Sequence, residues 1–177
     1  MSHSAPAPSL PVLVLNAQAD RRLKLGHLWI YSNEVDTARS PLKQFEMGQQ
    51  ALVTTNGGKP LGIALMNPTS LICGRIINRD ESHPLTKSLL VHRSKQALAL
   101  RELTFSEPYY RLVYGDSDLL PGLVVDRFGD YLVVQVAGAG MELVKNDIID
   151  ALVQVLKPEG VLLSNDHSAR ALENLPE

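Results

Sequence analysis

The stretch YGDSDLLPGLVVDRFG, Tyr114 to Gly129, packs three chain reversals into sixteen residues. Arg111 to Tyr114 reads as the end of a strand, Gly115 to Asp118 as a tight polar loop, and Pro121-Gly122 as a turn. An apolar strand, Leu123 to Val125, follows, and Phe128-Gly129-Asp130 turns the chain into Tyr131 to Val136. Gly115, Gly122 and Gly129 supply positive φ where turns need it, Pro121 presets a corner, and Asp116 and Asp118 are placed to cap loop amides. Such punctuation specifies antiparallel hairpins.

Asp116, Asp118 and Asp126 raise a chemical question, because three carboxylates this close are a donor set for a hard cation such as magnesium. A metal-dependent hydrolase would be built that way. Aspartates flanked by glycine in turns more commonly bond their own backbone, and no histidine in the stretch adds zinc or acid-base chemistry. The expectation is structural, with no metal.

The chain has 177 residues, 45% hydrophobic and 20% charged, an ordinary composition for one large or two small domains. The single cysteine, Cys73, excludes an internal disulfide framework and suits a reducing cytoplasm. No run approaches a membrane span, and the opening MSHSAPAPS has neither the basic start nor the apolar centre of a signal peptide. Residues 1–9 read as a disordered tail. The net charge of −2 hides an asymmetry: residues 1–101 carry 12 Lys and Arg against 6 Asp and Glu, and residues 102–177 carry 5 against 13. The front half is therefore +6 and the rear half −8, so a polyanion is expected to meet the front.

In residues 10–79, Leu10 to Leu15 reads as a first strand, and the basic segment Asn16 to Leu25 as a short helix or turn ended by Gly26. Trp29 alternates with Tyr31 as in a strand, and the sole Trp is expected in the core. Gly48 to Val53, Leu61 to Met66 and Leu71 to Ile77 are three more strands, with Asn56-Gly57-Gly58 a hairpin signal between the first two. Short, closely spaced strands make a small β-barrel or sandwich.

Residues 80–177 read differently. Asp80 to Pro84 is a polar linker opening a helix that runs to about Leu103, with Ser82 as cap, Leu90, Ala97 and Leu98 on the apolar face, and Lys87, Arg93, Lys95 and Arg101 on the wet sides. After the hairpins comes one amphipathic helix, Gly140 to Leu156, stopped by Pro158 and Gly160, and a last strand, Val161 to Ser164. The fold class is α+β: a small β-barrel, then a small α/β domain of strands and two helices.

The string GDSDLLPGLVVDRFGDYLVVQ resembles the G-E-x-D-x-L-P-G-L-x-V-D-R-Y/F-G-x-x-x-V-x-Q signature of bacterial SAM-dependent methyltransferases that modify C5 of cytosine in large-subunit (23S) ribosomal RNA, with Asp116 where Glu is common. RRLKLGHLWIYSNEV and GGKPLGIALMNPTSLICGRII are similar to that family's K/R-R-x-x-x-G-H-P-W-V-F/Y-S and G-x-x-L-A-x-G-x-x-N-P-x-S-x-I-x-x-R, with Leu28 in place of Pro. NDHSARALENLPE is similar to its R-x-D-x-x-x-R-x-x-E-G-L. The resemblance covers roughly residues 10–177. It implies a PUA-like RNA-binding domain over 10–79 and a middle domain over 80–177 that leads to a Rossmann-like catalytic domain. It also implies ribosomal RNA as partner and places Arg21, Arg22 and Lys24 on the RNA side, with Arg75 and Arg79 extending that face.

Catalytic chemistry is a different matter. Gly138-Ala139-Gly140 between a strand and a helix has the outline of a SAM or dinucleotide loop, but the third glycine of the pattern falls on Leu143, so no cofactor is expected there. C5 methylation normally runs through a cysteine thiolate, and an alternating strand gives Cys73 neither a base nor a lowered pKa. In the family the SAM loop and catalytic cysteine lie beyond the point matching Glu177. The expectation is a truncated, inactive RNA-binding portion of such an enzyme, SAM belonging to the parent family only; the alternative is a free-standing PUA-like RNA-binding or ribosome-assembly module.

Overall fold

The computed structural model describes residues 9–166 and 168–176. The expected tail lies outside them apart from Ser9. Two sheets divide the chain in a mixed α+β architecture. The front sheet holds β1 (Val12–Val14), β2 (Trp29–Tyr31), β3 (Gln50–Thr54), β4 (Pro60–Met66) and β5 (Ile72–Asn78), in the order β1-β3-β4-β5-β2. Only the β1–β3 pair is parallel. Beyond β2 the chain returns to the free edge of β1, where Asn16 N donates to Glu34 O (2.8 Å) and Asp36 N to Val14 O (2.9 Å), so the sheet curls toward a closed barrel.

The rear sheet is a meander of β6 (Tyr109–Tyr114), β7 (Leu123–Phe128) and β8 (Tyr131–Val136), with β9 (Gly160–Leu163) added parallel to β8. Helices α2 (Lys87–Thr104) and α4 (Lys145–Leu156) pack against one another beside it. The helices α1 (Arg21–Lys24), α3 (Ala139–Leu143) and α5 (Ala169–Leu172) are each a turn or so.

Burial explains why β4 and β5 are apolar along most of their length. Ala64, Met66, Cys73 and Ile76 face the barrel core with Leu13, Ile30 and Val53. Ile63, Leu65 and Ile77 face the other way, into a core shared with Leu90 of α2, Leu112, Val125 and Val134 of the rear sheet, and Ile148 of α4. A strand buried on both faces loses its period-two pattern. The two halves are thus joined through apolar contact, and Gln50 fastens the linker by bonding both N and O of Leu85 (2.7 and 3.1 Å).

Three helix expectations change. The linker helix begins at Lys87 after Thr86, because Asp80, Ser82 and His83 form their own turn: Asp80 Oδ1 accepts from Ser82 N (2.9 Å), and Oδ2 lies 2.8 Å from His83 Nδ1. The predicted helix 140–156 is two, broken at Val144 (φ −109°, ψ 20°), since α3 is docked on β4 while α4 lies along α2. Finally, Arg93 is buried and not on a wet side. The stripe Leu90, Arg93, Ser94, Ala97 follows the i, i+3, i+4, i+7 spacing of a single helix face, so facing Leu90 and Ala97 inward brings Arg93 with them.

Candidate nucleic-acid interface

Helix α1 lies at the front, ended by Gly26 at φ +107°. Arg21 is exposed and forms no ion pair among the described residues. The Arg22 guanidinium sits 4.8 Å above the Tyr31 ring and 3.4 Å from Glu34 Oε1. Lys24 pairs with Asp20 one turn back, which holds the Asp20 carboxyl below the usual carboxylate range. Leu25 beside them is 83% exposed.

Trp29 is not in the core. It is 41% exposed, and its indole N–H donates to Asp116 Oδ2 across the domain junction at 2.8 Å. In a three-residue strand, alternation separates Ile30 from Trp29 and Tyr31 but does not say which side is inner; the barrel takes Ile30. The result is a surface on which Arg22, Trp29 and Tyr31 combine cations with exposed or half-buried rings, next to Arg21 and Lys24. Cations of this kind hold phosphates, and the rings offer faces to bases.

The two other predicted residues are placed differently. Arg75 Nη1 is 2.9 Å from Glu173 Oε1, and Asn67 Nδ2 donates to the other oxygen of that carboxylate (2.8 Å), tying β5 to the chain after α5. Arg79 donates to Leu23 O (2.8 Å) and His27 O (3.0 Å). It fixes the end of α1. The structure brings Arg21, Arg22 and Lys24 together, with Arg79 as their support, and sets Arg75 apart at an internal ion pair.

The three aspartates serve three separate partners. Asp118 caps Tyr114 N (2.6 Å) and takes both Nη atoms of Arg101 (2.9 and 2.7 Å), so Arg101 is not a solvated charge as its helix position suggested. Asp126 bonds Arg111 at 2.8 and 3.1 Å, which raises the arginine's pKa. Among the described residues Asp116 caps no loop amide: one oxygen takes the Trp29 indole, and the other is buried with no hydrogen-bond partner there. Among the described residues no group of three His, Cys, Asp or Glu is placed to hold a metal ion. Asp118→Asn removes the charge from a largely buried pair and is expected to lower stability by roughly 2–4 kcal/mol, read in a urea melt, whereas divalent ions should leave the wild-type midpoint unmoved.

Gly138 and Gly140 have packing roles. A Cβ on Gly140 would lie 2.7 Å from Leu65 Cδ1 of the front domain, and Gly138 abuts Gly122 of its own domain, so both glycines are places of close approach. Burial pushes the Cys73 thiol up to about 11, and its Sγ rests 3.5 Å from Ile30 O.

This geometry, a curled sheet with a basic turn at its mouth, has a counterpart among known families. Residues 13–79 match the family model of the PUA-like domain. Residues 13–79 are a PUA-like domain. Over most of its length, that domain included, the chain is 31% identical over 161 residues to ribosomal RNA large subunit methyltransferase I of Aliivibrio fischeri (strain MJ11), covering 89% of this chain and 40% of that protein. It is 31% identical over 166 residues to the protein of the same name from Tolumonas auensis, covering 92% and 41%. The chain thus spans about two fifths of the length of these curated relatives. A solved structure from Streptococcus mutans, provisionally assigned as a SAM-dependent methyltransferase, superposes with a TM-score of 0.72 at 18% identity over 87% of this chain and 41% of its own. That likeness extends the shared fold past the PUA-like domain into the α/β half.

Proposed function

We propose that this chain is the RNA-binding portion of a ribosomal RNA large-subunit methyltransferase, holding rRNA on its PUA-like domain while SAM-dependent methyl transfer, to C5 of a cytosine, is carried out by a separate catalytic domain. The observation that carries this reading is the cluster on and beside α1: Arg21 exposed and without an ion pair among the described residues, Arg22 stacked on Tyr31, and Trp29 exposed at the junction, inside a domain that matches the PUA-like family model. The names of the relatives supply the rRNA and the reaction. Arg79 acts by fixing α1, and Arg75 contributes only if the Glu173 pair opens. The compartment that fits is the cytoplasm, where ribosomal RNA is found; among the described residues no helix is long and apolar enough to cross a membrane.

In this reading SAM does not bind at Gly138-Ala139-Gly140, where Leu65 stands against Gly140, and Cys73, whose thiol burial pushes up to about 11, is not the nucleophile. Calorimetry with this chain should give no saturable heat at micromolar SAM, an affinity equivalent to roughly 8 kcal/mol. Saturable binding would sink this part of the proposal. Fluorescence anisotropy with a labelled large-subunit rRNA fragment tests the RNA part: salt-dependent binding is expected, and its absence at low ionic strength would refute it.

A further inference from the structure

Three hollows meet at Arg93 and Leu119. A cleft of about 610 Å³ lies between the linker and α2, with Ser82, His83, Ser88, His92, Arg93 and Gln96 in its walls. Two smaller hollows adjoin it, one from the side of Leu28 and Arg79, the other from the side of Ser117 and Asp118, and Arg93 and Leu119 line all three.

Arg93 is 5% exposed, yet among the described residues no carboxylate pairs with it; Nη1 donates to the carbonyl of Leu119, and that is its partner in the fold. Burial lowers its pKa, but a guanidinium keeps its proton at any ordinary pH. A buried cation without a counter-charge is costly, and the cost is recovered when an anion arrives. The Ser88 hydroxyl, the His92 imidazole and the Gln96 amide on the same wall are suited to the remaining oxygens of a phosphate. The one carboxylate on the wall, Asp80, is engaged by Ser82 (2.9 Å to its amide) and His83 (2.8 Å).

We infer that this cleft is a receptor for a phosphate group, seated against Arg93, and that in the RNA complex the group is a backbone phosphodiester. The assignment of its source rests on the RNA-binding reading above. Two observations favour RNA over a free anion: the cleft exceeds what a lone anion fills, and the hollow lined by Leu28 and Arg79 adjoins the end of α1, where Arg79 donates to Leu23 O and His27 O. RNA lying on α1 would pass close to that hollow and to Arg93 in its wall.

The test uses the full chain and two probes, inorganic phosphate at constant ionic strength and a labelled large-subunit rRNA fragment. The variants are Arg93→Gln, which removes the cation, and Gln96→Glu, which leaves Arg93 in place and sets a carboxylate three residues along the same helix from an exposed position. Phosphate should raise the wild-type melting temperature above a chloride control, and both variants should lose that rise and bind RNA roughly tenfold more weakly, as expected when one charge-assisted hydrogen bond is removed. Weaker RNA binding in both variants without a response to phosphate alone still supports the receptor, a single anion being a weak ligand. RNA affinity unchanged in Gln96→Glu overturns the phosphodiester assignment, even if Arg93→Gln fails to fold. A phosphate response that needs Arg93, in a chain that binds no RNA, would refute the proposed function and leave a receptor for a free phosphate ligand. No response to phosphate and equal RNA affinities overturn the inference altogether.

Discussion

Arg21→Ala combined with Arg22→Ala is expected to weaken binding to a structured rRNA fragment by roughly 10- to 100-fold at low salt, at about 1.5–3 kcal/mol for a hydrogen bond to a charged group and less for Arg22, which is held partly by Tyr31. The salt dependence should flatten as well, by somewhat under one unit of log-log slope for each phosphate no longer neutralised, taking roughly 0.7–0.9 per phosphate in DNA as the guide. Folding should suffer little. Arg21 has no ion pair to lose among the described residues, and the Arg22 stack on Tyr31 is worth about 0.5–1 kcal/mol. The control is Lys87→Ala with Lys95→Ala on α2, where Lys87 is already paired with Asp150 at 2.9 Å. Equal losses from both double variants would mean that RNA is held by diffuse positive charge, and the assignment of the face to α1 would fall.

That face was only partly legible in the sequence. The cluster Arg21, Arg22, Lys24 falls within four consecutive residues, so spacing alone brings it to one turn. What each cation does depends on partners far along the chain: Arg75 meets Glu173, and Trp29 meets Asp116, 87 residues away. Residue type gives no warning of either. Arg93 is the instructive miss, because its position on the Leu90–Ala97 stripe was readable from the helical period, and its charge argued for the opposite side. Where period and residue type conflict, the conflict itself marks a candidate site.

The fold was more legible where turn chemistry is local. Asn56-Gly57-Gly58 and Phe128-Gly129-Asp130 place their hairpins because Gly58 (φ +86°) and Gly129 (φ +63°) take conformations that other residues resist. β8 spans Tyr131–Val136, the range that its alternation suggests. The parallel pairing of β1 with β3 is carried by no local signal, since it joins strands some forty residues apart. The break at Val144 is equally silent, because it comes from α3 and α4 resting on different supports.

The glycines of the 115–122 loop give the sharpest test of that local reading, because two of them share a positive φ and differ in surroundings. Gly115 (φ +51°) has only Leu123 O, at 4.0 Å, near the place a Cβ would occupy, so Gly115→Ala bears the left-handed strain alone, about 1–2 kcal/mol. Gly122 (φ +83°) meets backbone: a Cβ there would stand 2.7 Å from both N and Cα of Gly138. No side-chain rotation relieves that overlap. The two strands must part, and Ala137 N, which donates to Gly122 O at 2.8 Å, is drawn away with them. Gly122→Ala is therefore expected to cost roughly 3 kcal/mol or more, where strain, steric overlap and a broken hydrogen bond combine, measured as a fall in the urea midpoint at unchanged slope. The same loop holds Asp116 against Trp29, so displacing it should also expose the indole further, seen as a red shift of its fluorescence under native conditions. Equal losses of stability at the two positions would show that φ strain governs both, and that the close approach of Gly122 to Gly138 relaxes at little cost.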